Sequence, residues 1–346
     1  YDATGAVKGL LIEEARTNNL KSSGDLNGSG WVAAATIGTL TAGSPFGTYQ
    51  TISPAYNSTG IGPAQRYQIG RAITSGATYV AWSLVKYSAG SGWFIVNPYD
   101  TTSGNKRAYF DVQNGVVGVK DATLLDHGMV DYGDGWWLCW VSANAASTSG
   151  GVSCEAPNGD GVLSCTASDV ILIAGTQFEQ GSFPTSYIPT TGAAATRAAD
   201  VATIPTSAFG YNADAGSVLV EAQSFGTNNY PRSVMIDAGS ENNSIGLGAW
   251  GTSTYLNGYI VSGGVVQAAI GTGSAGTSAF KNSLAYKEND FAASRDGLAV
   301  VTDTSGVVPT GLTTLRIGRN GNTTQFFNGH IKSIQYYPRR LSNAQL

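Results

Sequence analysis

Charge is what this chain of 346 residues has least of: Asp, Glu, Lys and Arg make up 12% of it, against about 25% in an ordinary globular domain. The balance is near neutral, 19 basic against 23 acidic residues, a net −4. Divided at residue 195, the first part carries −5 and the second +1. Neither part is a basic platform, which argues against nucleic acid as a partner. Histidine occurs only as His127 and His330, and cysteine only as Cys139, Cys154 and Cys165. There is no C-x-x-C pair, so a zinc site is not expected. There is no run of eighteen apolar residues, so no membrane insertion is expected. The chain begins at Tyr1 rather than Met and reads as a fragment or a processed product.

Glycine, in contrast, is abundant at 46 residues, about twice its usual share. With 42% hydrophobic residues the chain has enough apolar mass for real cores, which excludes a disordered linker. Many short strands joined by tight turns fit this composition. The length suits two domains. Strand patterns fall at 77–86 (ATYVAWSLVK), 92–98 (GWFIVNP), 106–120 (KRAYFDVQNGVVGVK), 136–143 (WWLCWVSA) and 170–180 (VILIAGTQFEQ). They resume at 217–224, 232–239 and 244–250 and again towards the C-terminus. Asn114-Gly115 and Asn257-Gly258 are expected to turn hairpins, the first as a type I′ turn. Ser342 is positioned to start a helix in LSNAQL whose remainder is expected to be cut off.

The expected fold class is all-β: two tandem antiparallel β-sandwich (jelly-roll) domains. Residues 1–20 read as an N-terminal arm from a missing upstream region, 21–190 as the first sandwich, 191–200 (TGAAATRAAD) as a linker and 201–346 as the second sandwich.

The phrases KGLLIEEARTNNL near the start, AYFDVQNG, YGDGWWLCW, GTQFEQGSFPTSYIPTTGAAATRAADVATI and the closing YYPRRLSNAQL resemble bacteriophage virion proteins, namely tail or head fibres, spikes and decoration proteins. The first sandwich resembles carbohydrate-binding-module-like jelly rolls, and the second a concanavalin-A-like, laminin-G-type domain. The resemblance implies adhesion without catalysis: host-cell surface polysaccharide as ligand, with other virion proteins and further copies of the chain, in a trimer for a fibre, as partners. It implies a virion-surface location after assembly in the bacterial cytoplasm. One departure is that relatives often carry a polar or basic residue soon after the GDGW-like Trp, where this chain has Leu138 and Cys139.

Chemistry is sparse. A sandwich glycosidase needs two carboxyls about 5–9 Å apart, which alternate residues of one strand supply. Glu221, Glu241 and Glu288 are widely separated, and no such strand triplet occurs, so no enzyme is expected. A structural Ca2+ is a candidate cofactor, with Asp131 and Asp134 of the DYGDG turn as its first ligands and Asp25 and Asp200 elsewhere. The plain alternative is Asx-turn capping. Cys154 and Cys165 flank a turn-rich loop and are open to a cross-strand disulfide if their strands pair; two reduced thiols are the alternative.

A sugar would stack on flat aromatic faces flanked by amide and carboxylate groups. The candidate contacts in the first sandwich are Trp93, Asn97, Tyr99 and Asp100 on one rim, with Trp137 opposite in parity to Trp136 and Trp140. In the second they are Tyr230 and Arg232 in a loop, and Trp250 with Tyr255 around GTST. Core packing or an intersubunit contact is the competing role at each position. The competing functions are a purely structural decoration protein, an accessory part of a polysaccharide depolymerase, and a bacterial adhesin.

Overall fold

A computed structural model describes residues 7–54, 56–57, 60–61, 64–225, 232–249, 255–274, 277–321 and 325–346. The secondary structure is strand throughout, and the only helical turns among the described residues are two 3-10 turns, Thr206–Ala208 and Asn343–Gln345. The second of these starts at Ser342, which forms a capping box with Gln345. No helix among the described residues is long and apolar enough to cross a membrane. The described residues divide into two compact units: Ala15–Ala198, and residues 7–14 together with Ala199–Leu346.

The first unit is an antiparallel β-sandwich. One sheet runs through the strands Val116–Lys120, Ala108–Asp111, Trp93–Asp100, Ser149–Ala156 and Ala64–Ala72. The other runs through Gly47–Pro54, Val170–Gln180, Thr78–Ala89, Trp136–Asn144 and Asp126–Gly133. Val32–Ile37 belongs to both. Its residues 32–34 pair with Ala64–Ala72 and its residues 35–37 with Gly47–Pro54, so it turns the corner between the sheets. Strand alternation places Phe94, Val96, Phe110 and Cys154 of one sheet against Ala81, Val85, Val141 and Ile171 of the other in one buried core. Near the unit's ends, Arg16–Asn18 pairs with Ala195–Arg197.

The second unit has two six-stranded antiparallel sheets. One is ordered Leu10–Ile12, Gly329–Tyr337, Ala215–Ser224, Phe280–Lys287, Phe291–Arg295, Val301–Asp303. The other is ordered Ala202–Pro205, Thr314–Ile317, Arg232–Asp237, Ser244–Ala249, Tyr255–Ser262, Val265–Ser274. The core between them holds Val218, Val220, Leu284 and Phe291 against Ile236, Leu247, Ile260 and Leu315. Ile12, from the segment read as an arm, is buried in this core, and Leu10 pairs with Ile331.

Both Asn-Gly expectations need correction. Asn114-Gly115 does lie between two paired strands, but Asp111 pairs with Val116 across a four-residue loop. Gly115 alone has positive φ, at 71°, whereas a type I′ turn needs two such residues. The Asp111 carboxylate closes the loop by accepting from the backbone N–H groups of Gln113 and Asn114. Asn257-Gly258 makes no turn; it lies within Tyr255–Ser262 and pairs with Ile270 and Gly271. Gly258 is there for closeness, because a Cβ on it would sit 2.6 Å from Leu284 Cδ1. The turn comes at Gly263-Gly264, with φ of 59° and 79°, between the paired Ser262 and Val265.

The disulfide is not formed. Cys139, Cys154 and Cys165 are all buried thiols. Cys154 sits on Ser149–Ala156, whose neighbours are Trp93–Asp100 and Ala64–Ala72. Cys165 lies in the irregular stretch after that strand, so the pairing that a cross-strand bridge needs is absent. The Cys154 Sγ is 3.4 Å from Ser83 Oγ and 3.5 Å from Thr176 Oγ1. Burial pushes the Cys154 thiol up to about 11, only partly offset by those two hydroxyls, and drives Cys139 well above its ordinary range. We therefore expect no thiol to react with an aromatic disulfide reagent in the native protein at pH 8, and all three to react in denaturant without reductant. One reactive thiol in denaturant, rising to three on reduction, would contradict this.

Candidate functional site

The first sandwich has a second apolar surface, on the side of its Trp-rich sheet that faces away from the core. Alternation puts Cys139 and Val141 inward, while Trp136, Leu138 and Trp140 point outward. On the neighbouring strand Trp82 and Leu84 share that outer side, and all but Trp140 of these five residues are buried.

Two features cover them. The hairpin of Thr41–Ser44 and Gly47–Pro54 carries Phe46 and Tyr49. The chain after Val170–Gln180 folds back across the sheet and carries Tyr187. Phe46 stacks on Tyr187 with centroids 4.5 Å apart and planes at 11°, and Tyr49 meets Trp136 edge-on at 5.8 Å.

The fold-back is what the phrase QFEQGSFPTSYIP encodes. Phe178 points into the core, so Gln177 and Glu179 point outward, under the returning chain. The Glu179 carboxylate accepts from Thr185 N at 2.9 Å, Thr185 Oγ1 at 2.6 Å and Trp82 Nε1 at 3.3 Å. The Gln177 carbonyl oxygen accepts from Ile188 N at 2.7 Å. Burial pushes the Glu179 carboxyl up, against the nearby Arg16 charge and the Thr185 bonds. Glu179 is thus a structural anchor.

The covering is incomplete over the last two strands. Trp140 is half-buried and lies against Gly128, where a Cβ would come 2.5 Å from the indole Nε1. Tyr132 is 42% exposed and Val130 is 45% exposed, and Tyr132 meets Phe46 at 6.2 Å. Three partly open rings, Tyr49, Trp140 and Tyr132, therefore border a packed aromatic floor. Flat apolar rings fixed by packing are suited to stack on the C–H face of a sugar.

The residues singled out from sequence fall elsewhere. Trp93 and Tyr99 point the same way but stand six residues apart on one strand, about 20 Å, so they share no rim. Asn97 is fully buried and donates to Asn105 Oδ1 at 2.7 Å and Ser153 Oγ at 2.9 Å. Asp100 is 1% exposed and ties down its own loop, accepting from Lys106 Nζ, Ser103 Oγ and the N–H groups of Thr102 and Ser103. Trp137 packs against the core, with its Cη2 2.5 Å from where a Gly115 Cβ would lie. Arg232 is 1% exposed, its guanidinium 4.7 Å over the centre of the buried Tyr259 ring. Tyr230 and Trp250 lie outside the described residues, as does the side chain of Tyr255.

The contacts of Asp131 and Asp134, the candidate calcium ligands, are those of a turn. Asp131 accepts from Gly133 N at 2.7 Å, and Lys86 Nζ holds the Asp134 carbonyl. No group of three or more His, Cys, Asp or Glu positioned for a metal occurs among the described residues. Asp25 likewise caps Asn27 N at 2.9 Å, and Asp200 accepts from Glu13 N at 2.9 Å.

Phe46, Tyr49, Tyr132 and Tyr187 are members of the aromatic face that sequence reasoning missed. The available signal was WWLCW itself. A strand apolar at every position has both faces covered, so a second apolar layer had to come from elsewhere in the chain.

No family model and no curated protein matches the sequence. Among solved structures, the chain is similar to the CBM40 of the Ruminococcus gnavus IT-sialidase, with a TM-score of 0.34 and 12% identity over 39% of this chain and 82% of that one. It is similar to domains LG4-5 of the mouse laminin alpha1 chain, with a TM-score of 0.29 and 9% identity over 92% of each chain. It is also similar to the NanB sialidase of Streptococcus pneumoniae, with a TM-score of 0.32 and 13% identity over 42% of this chain and 25% of that one. The β-sandwich assignment rests on the strand pairing and core packing described above.

Asp100 yields a pH prediction. Burial alone would raise its carboxyl, but the Lys106 ammonium, the Ser103 hydroxyl and two backbone N–H groups outweigh burial and hold it well below the ordinary range. A depressed folded value means the unfolded chain binds the proton first as pH falls. The stabilisation is therefore complete above the unfolded value near 4 and is lost progressively below it. Asp100→Asn is expected to lower the urea midpoint at pH 7 and to show a smaller further loss than the wild type between pH 5 and pH 2. Parallel losses in the two proteins would contradict this.

Proposed function

We propose that this chain is a non-catalytic binding protein of a bacteriophage particle, a fibre, spike or decoration protein, whose first sandwich takes a glycan of the host-cell surface. The observation that carries the binding reading is the presence of three partly exposed rings, Tyr49, Trp140 and Tyr132, at the margin of a packed aromatic floor. Such a face works by stacking and exclusion of water and needs no reacting group. The virion setting is supported by the resemblance of the fold-back phrase and the C-terminal phrase to phage proteins. Location at the particle surface, assembly in the bacterial cytoplasm and association with other virion proteins follow from that setting. So does self-association, as a trimer in a fibre. Several copies on one particle would turn weak single sites into avidity.

A second reading has one observation in its favour. The outermost strands of the first sandwich's sheets expose Val116, Val119 and Val130, which suits packing against another protein. On that reading the chain is a structural decoration with no glycan ligand.

The deciding experiment is a glycan array probed with a multimerised form of the chain. We expect a saturable hit that weakens about tenfold in Trp140→Ala and in Tyr49→Ala, each variant being shown to be folded at the assay temperature. We also expect no reducing sugar to be released. A blank array with folded protein would favour the structural reading. Release of reducing sugar would overturn the non-catalytic one.

A further inference from the structure

We propose that the second sandwich carries a binding site of its own for a single neutral saccharide ring, on the outer face of its sheet that contains Ala215–Ser224. This goes beyond the aromatic face of the first sandwich and does not depend on it.

The site is a cavity of about 240 Å3 across three adjacent strands. Strand register builds its floor. Glu221 lies opposite Lys281 on one side and Ser333 on the other, and Leu219 lies opposite Ser283 and Gln335. Val218, Val220 and Ala222 fill the core, so alternation turns Leu219 and Glu221 outward. The result is two ranks of three side chains, with one apolar group among five polar ones. The Asp296-Gly297 turn and Leu346 form walls.

The hydrogen-bond account shows what remains for a ligand. One oxygen of Glu221 accepts from Lys332 Nζ at 2.7 Å. The Asp296 carboxylate accepts from Lys281 N at 2.6 Å and from Arg295 Nε at 3.1 Å. Ser283 Oγ lies 3.2 Å from the carbonyl oxygens of both Ser294 and Leu346, which share its single proton, and the Gln335 carbonyl accepts from the Tyr337 hydroxyl at 3.0 Å. The Lys281 ammonium, the Gln335 amide N–H groups, the Ser333 hydroxyl and the second Glu221 oxygen are left to meet a ligand. The Lys332 bond and the Lys281 charge hold Glu221 below its ordinary range despite partial desolvation, so it is an acceptor at neutral pH.

Donors and acceptors interleaved around one apolar side chain match a sugar, which has hydroxyls at its edge and C–H groups on its faces. Charge selects a neutral one. Glu221 and Asp296 stand among Lys281, Lys332 and Arg295, so charges of both signs alternate around the groove and no cluster of cations alone faces a phosphate or sulfate. The floor matches one ring, because two ranks of side chains span about 7 Å along the strand and three strands span about 10 Å across it.

The test is saturation-transfer NMR on the whole chain with methyl glucoside, methyl galactoside and N-acetylglucosamine as probes, and glucuronate as the charged comparator. We expect saturable binding of at least one neutral probe, weakened about tenfold by Glu221→Gln and by Gln335→Ala and unchanged by Trp140→Ala. Gln335 is exposed and Glu221 is 26% exposed at its side chain, so both variants should keep the wild-type melting temperature. Should either variant fold poorly, Lys281→Ala, at another exposed position, gives the same readout. Absence of saturable binding by every neutral probe, preference for glucuronate, or binding lost in Trp140→Ala and retained in the groove variants would each overturn the proposal. Failure of the aromatic-face variants on the array leaves it standing.

Discussion

Every residue of a β-strand belongs to one of two faces, and in the Trp-rich sheet of the first sandwich both faces are apolar. The inner face is met by the opposing sheet. The outer face, with Trp82, Leu84, Trp136 and Leu138, needs a cover that the sandwich itself does not supply. At about 25 cal/mol per Å2 of apolar surface, leaving two tryptophans and two leucines in water would cost several kcal/mol. The hairpin bearing Phe46 and the fold-back bearing Tyr187 answer that need, and buried Gln177 and Glu179 fix the fold-back in place through the backbone N–H groups of Ile188 and Thr185. The partly open rings at the margin are where the cover ends.

The second sandwich treats its outer surface differently. The outward residues of Ala215–Ser224 include Leu219 and Glu221, and those of its neighbours include Lys281, Ser333 and Gln335. This face can meet water without a cover, so it stays open and forms a groove. The two units thus offer unlike surfaces, one built on stacking and the other on hydrogen bonds. In each, the pairing register decides which side chains become neighbours.

Much of the architecture was legible in the sequence because period-2 alternation and glycine-rich turns are local signals. The strands at 77–86, 92–98, 136–143 and 170–180 were placed close to their observed positions for that reason. The turns were less legible. Asn257-Gly258 carries the same dipeptide as a hairpin, yet the demand at that point is room for Leu284, a residue distant in sequence. Asn97 and Asp100 had the composition of a ligand rim, but their polar atoms are consumed by Asn105, Ser153, Lys106 and Ser103.

What the sequence determined by itself is the class: low charge, abundant glycine and alternating apolar runs admit short antiparallel strands packed as sandwiches, with little else. The parity of Trp136, Trp137 and Trp140 was also fixed there, since neighbouring strand residues must point to opposite sides. Which parity faces the core was decided only by tertiary structure, through the sheet that Trp137 meets and the hairpin that Tyr49 belongs to. The reduced state of Cys154 and Cys165 was decided the same way, by which strands pair. These outcomes depend on contacts between residues far apart in the chain, and a local pattern of two or four residues carries no information about the partner it will meet.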